Sequence, residues 1–163
     1  MNGKKTVFLF LALLLPVCVF LFLKFFGKNR FDVPVLFESE LPAVAHACGI
    51  HTLPYRVPDS IAAPLFNEHG PALVLVSFSQ EEEYKARLAS ETSIHDLKII
   101  QATDTVFHAA DFNFVRNCIF LLDAPFDLVL LDRQQRIRGQ YTAADRDEID
   151  RLIVEVKIIL EKY

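Results

Sequence analysis

Glycine is scarce in this chain, with five residues in 163. Neither common spacing of a Gly-rich phosphate loop occurs, so the usual nucleotide cradles are excluded. Positive charge is not in excess: 17 Lys and Arg against 21 Asp and Glu leave a net charge of −4. That balance gives no footprint for nucleic acid. Internal repeats and low-complexity tracts are also missing, which excludes solenoids and arrays. Cysteine is limited to Cys18, Cys48 and Cys118.

Hydrophobicity, by contrast, is concentrated near the N-terminus. Thr6 to Leu23 carries no charge, and with Lys24 snorkelling the apolar stretch extends to Phe26. A helix over 6–26, at about 1.5 Å per residue, measures roughly 30 Å, the thickness of one bilayer core. Cleaved signal peptide, lipoprotein signal and retained anchor compete for it. The segment "LKFFGKNRF" offers only Gly27 as a small residue for cleavage, and "LLPVC" lacks the small residue that precedes a lipidated cysteine. The expectation is therefore a retained transmembrane anchor contacting the lipid bilayer, after a short tail over 1–5. Lys4 and Lys5 precede it and Lys24, Lys28 and Arg30 follow, so charge alone does not orient it.

Residues 27–59 contain four prolines and read as an extended arm, in which "DVPVLFES" suits an edge strand. The remainder, 60–163, reads as one α/β domain. "ALVLVSFS" (72–79) is a continuous apolar run of the kind that forms a strand covered on both faces. Ser79 followed by Glu82 predicts a capped helix start, with Glu81 to Glu83 favoured by the helix dipole. That helix is expected to run to about Ser90. "DLKIIQAT" (96–103) predicts a second strand, and "HAADFNFVRN" (108–117) a short helix. "FDLVLLD" and "RIRGQYT" predict an antiparallel hairpin across "DRQQ". From Ala144 the period changes. Ile149, Leu152, Ile153, Val156, Ile159 and Leu160 mark one stripe of a final helix.

The order strand, helix, strand, helix, strand, strand, helix suits the thioredoxin topology, and periodicity also admits other α/β sandwiches. In "ALVLVSF", "LKIIQATD", "DLVLLDRQQRIRGQY" and "DRDEIDRLIVEVKIIL" the chain resembles membrane-anchored Sco/SenC-type proteins. The resemblance covers roughly residues 55 to 162 plus the N-terminal segment. It implies a three-layer thioredoxin-like fold with a mixed central sheet, beside one N-terminal transmembrane helix. It further implies a single-pass protein of the bacterial inner membrane, N-terminus inside and domain in the periplasm, with protein partners in a membrane complex tied to cytochrome oxidase or its assembly.

The family's chemistry does not carry over. Its paired cysteines fall near Glu83 and Arg87, and Ala124-Pro125-Phe126-Asp127 stands where its copper-binding histidine would be. Three glutamates in the first helical turn would also raise the pKa of any thiol there. The expectation is a non-catalytic accessory protein without a cofactor. Within the resemblance, an extracytoplasmic domain makes a Cys48–Cys118 disulfide the simplest use of those thiols, with two unrelated buried thiols as the alternative. Pro125 takes the place of that fold's cis-proline. The competing reading is a copper-binding metallochaperone or thiol protein using His46, Cys48 and His51 of "HACGIH". His95, His108 and Asp111 read as surface residues rather than an acid–base set. Asp132, Arg133, Arg136 and Arg138 read as a solvated hairpin tip.

Overall fold

The structure, a computed structural model, describes residues 3–26, 32–66, 70–91, 94–103, 107 and 111–162. The chain divides into two compact units, Met1–Phe31 and Asp32–Tyr163.

The first unit is a helix, α1 (Gly3–Phe26), with Pro16 inside it. Among the described residues no helix is long and apolar enough to cross a membrane. This overturns the transmembrane anchor expected over 6–26, and with it the fold class built on that anchor. Part of the physical reason lies in the sequence. Lys24 falls within the expected span, and Pro16 removes a backbone donor and crowds the carbonyl four residues earlier. The described apolar side chains of α1, among them Leu13, Phe20 and Phe22, are exposed.

The second unit is a small α/β structure with a four-stranded mixed sheet. Its strands are β1 (Leu73–Ser77), β2 (Leu97–Gln101), β3 (Leu128–Asp132) and β4 (Ile137–Tyr141), in the order β2-β1-β3-β4. β1 pairs parallel with β2, Leu73 opposite Leu97, and antiparallel with β3, Leu73 opposite Asp132. β3 and β4 pair antiparallel with an irregularity between Leu130 and Leu131. β1 and β3 are buried throughout, as central strands covered on both faces must be.

Alternation along these strands feeds two cores. Leu73, Leu75, Leu128, Leu130 and Tyr141 face α4 (Glu83–Ser90) and α6 (Arg146–Lys162), meeting Tyr84, Leu88, Ile149, Leu152 and Val156. Val74, Val76, Val129, Leu131 and Ile137 face the opposite side. There they meet Ala45, Tyr55, Val57, Ala62 and Leu65 from residues 32–66, and Val115, Phe120 and Leu122 from the segment before β3.

Residues 32–66 are therefore wall rather than tether. They include the short helices α2 (Ala43–Ala47) and α3 (Asp59–Ala62). The edge strand expected from "DVPVLFES" does not form. The Leu36 amide donates to Ile137 O at 2.8 Å and Phe37 turns away at φ 60°, while Pro34 has no N–H to extend a ladder. The helix expected at 108–117 is also corrected. Residues 108–110 lie outside the described residues, and the rest comprises one turn, α5 (Phe112–Phe114), then a π-helical turn at Val115–Ile119 in which the Phe120 amide reaches Val115 O at 3.0 Å. Asp111 caps it, its carboxylate accepting from the Asn113 and Phe114 amides at 2.9 and 3.1 Å.

Gly139, on the outer strand β4, answers to packing. A Cβ there would collide with the buried Tyr141 phenol, which donates to Glu155 Oε2 at 2.5 Å and so cannot easily swing aside. Gly139→Ala is expected to destabilise the fold by about 1–3 kcal/mol through overpacking, measurable by urea denaturation. A change within about 0.5 kcal/mol would show that the ring yields.

Candidate functional site

Among the described residues, candidate side chains gather at the β1–α4 junction, at the hairpin tip, and where residues 43–58 meet α5 and the turn after it. The junction is structural. Phe78 packs against Phe112 and Phe120 with ring centroids 5.2 and 5.6 Å away, and its amide donates to Asp127 O at 2.8 Å. Ser79 does not cap the helix as expected. Its Oγ accepts from the Glu81 amide at 3.1 Å, and α4 begins at Glu83 behind Glu82, which makes no side-chain cap. Ser79 is itself buried, and its carbonyl accepts from Gln101 Nε2 at 2.7 Å. A local hydroxyl turn thus wins over helix capping, because the chain must first carry Phe78 and Ser79 into the core.

The hairpin tip is solvated at Arg133 and Gln134, as its composition suggests, but buried at its base. Asp132 and Arg138 are 7% and 3% exposed. Asp132 Oδ1 accepts from the Gln134 and Arg136 amides at 2.9 and 3.1 Å, and its Oδ2 accepts from Arg136 Nε at 2.8 Å. Arg138 Nη1 stands 3.6 Å from the same carboxylate, and its Nη2 donates to Val33 O at 2.7 Å. Arg133 reaches over to the carbonyls of Gly70 and Pro71. These charges lock the hairpin and the start of the second unit to each other, a use that composition alone does not reveal.

The third place gathers the sequence-derived candidates. Cys48, at the end of α2, and Cys118, in the π-helical turn, form a disulfide with Cα atoms 5.5 Å apart. Beside it lies an open groove of about 400 Å³. One wall carries Ile50, His51 and Tyr55; the other carries Phe114 and Ile119. The His46 and His51 rings lie 5.7 Å apart, tilted by 33°. With both sulfurs bonded to each other, Cys48 has no thiolate to offer a metal. Among the described residues no group of three or more His, Cys, Asp or Glu is arranged to hold a metal ion. Ala124-Pro125 is cis, as is Leu53-Pro54. The loop after Pro125 is fastened to the π-helical turn where Arg116 Nη2 donates to Phe126 O at 2.8 Å. Cys18 is a free, exposed thiol, and His95 is exposed on the approach to β2. His108 lies outside the described residues.

Tyr55, not singled out by the sequence, is the second fastening of this wall. Its phenol donates to Ile119 O at 2.7 Å, one residue past the disulfide. An aromatic residue between Pro54 and Pro58 was the only signal available. Burial pushes the Tyr55 phenol up to about 12, and burial, then the bond to Glu155, raises Tyr141. The fold thus favours neutral phenols. This contribution is fully present below about pH 10 and is lost as pH rises through about 12. The denaturation midpoint should fall over that interval, and Tyr55→Phe should lessen the fall. Equal slopes for both proteins would remove Tyr55 from the transition.

No family model matches the chain, no curated protein is similar to it, and no solved structure matches it.

Proposed function

We propose that this chain is a non-catalytic accessory or structural protein that acts through protein partners. In keeping with its resemblance to Sco/SenC-type proteins, the partners belong to a respiratory membrane complex or its assembly. One observation carries the reading. The β1–α4 junction, where that family places its reactive cysteines, holds Ser79 and a run of glutamates, and Phe78 fills the space beneath against Phe112 and Phe120. The two cysteines of the second unit are bonded elsewhere, where they join two walls of the structure.

The reading is tested with the full chain, tagged and expressed in its native host, extracted in mild detergent and fractionated by size. Co-elution with partners in fixed stoichiometry is expected. Elution as a lone monomer would overturn the proposal, as would dithiol-dependent reduction of insulin disulfides well above background.

A further inference from the structure

Building on the reading of the chain as a partner-binding protein, we propose that the groove beside the Cys48–Cys118 disulfide docks an acidic peptide segment of a partner protein, with apolar side chains alternating with carboxylates. Its apolar floor is unusual for this surface. Among the described residues outside α1, the large hydrophobics left exposed are Leu53, Phe114 and Val154. Phe114, 52% exposed, lines the groove, and Leu53, 44% exposed, follows the lining residue Thr52. Ile50 and Ile119 continue the same surface. Exposed aromatic and aliphatic side chains grouped in a concave site are the usual anchors of protein recognition.

Charge selects the partner. Among the described residues of the lining, Arg56 and His51 are the ionisable side chains besides the buried Tyr55, and none is a carboxylate. The nearest acids along the chain are already engaged: Asp59 accepts from Gln135 Nε2, and Asp111 caps α5. Arg56 gives one N–H to Gln134 O at 3.1 Å, out of the five donors a guanidinium carries. The Arg56 guanidinium beside an apolar floor complements alternating carboxylate and apolar side chains, and it steers such a segment during encounter.

The walls are also set before binding. The disulfide and the Tyr55 phenol tie residues 48–55 to residues 118–119. Little ordering of the groove is therefore left for the binding step.

The test uses the full chain in detergent and a fluorescein-labelled peptide alternating aspartate and phenylalanine, beside its lysine–phenylalanine counterpart, read by fluorescence anisotropy. The acidic peptide should bind and the basic one bind at least about tenfold more weakly. Phe114→Ser should weaken the acidic peptide about tenfold, and Arg56→Glu should reverse the preference between peptides. Val154→Ser, at an exposed site on α6, should change neither. Equal binding of both peptides, or wild-type binding by both groove variants, would overturn the proposal. If the chain co-elutes with a partner complex and both variants remain in it, the groove is overturned while the accessory role stands. If the chain elutes alone but the peptide result is as expected, the groove stands and the accessory role falls.

Discussion

Replacing Cys48 and Cys118 together by serine is expected to lower the unfolding free energy by about 2–4 kcal/mol. The bond closes a loop of 70 residues. That loop spans most of the second unit's architecture: α3, β1, α4, β2 and α5 all lie between the two sulfurs. Without the bond the unfolded chain regains the freedom to separate its two ends, which is the main source of the loss. The folded state also loses its covalent link between α2 and the π-helical turn, leaving Tyr55 and core contacts to hold that wall. Urea denaturation of the double variant against the oxidised parent measures the difference. A loss below about 1 kcal/mol would show that the noncovalent contacts suffice.

Phe120→Ala is expected to cost about 3–5 kcal/mol. Phe120 is fully buried and packs edge-on against Phe78 and Phe107, with centroids 5.6 and 5.5 Å away. Its ring supports the junction after β1 from beneath, and its amide closes the π-helical turn that holds Cys118. Truncation removes apolar contact and leaves a cavity against rings that are held from several sides. Because residues 118 and 120 share one turn, this variant and the double serine variant should not be additive in combination. Comparing the triple variant with the sum of its parts measures the coupling, and strict additivity would separate the aromatic cluster from the staple.

The sheet was the most legible part of the sequence. "ALVLVSFS", "DLKIIQAT", "FDLVLLD" and "RIRGQYT" place strands within two residues of β1, β2, β3 and β4. Their apolar runs and turn residues are properties of the local chain. The final helix was equally visible, because its stripe at helical spacing is the face that meets the sheet. Local rules failed where distant groups compete for the same residues. Ser79 obeys a capping pattern, yet it turns into the core because Gln101 holds its carbonyl and Phe78 must reach Phe112 and Phe120. Pro34 and Phe37 end an expected strand once the chain bends over β4.

The hairpin charges show the same limit from the other side. Arg138 reads as a surface residue until Val33, 105 positions earlier, supplies the carbonyl that its buried guanidinium meets. At the N-terminus the helix forms over the expected span, and what was misjudged is its membrane-crossing character, in an apolar run that contains Pro16 and Lys24.

By itself the sequence determined the strands, the final helix and the absence of cysteine from the junction after β1, since composition and period are written locally. Only the tertiary structure decided that residues 32–66 are a wall of the core and that Cys48 meets Cys118. It also decided that Phe114 stands exposed beside Arg56. Such proximities depend on how elements far apart in the chain pack, and no local pattern encodes that distance.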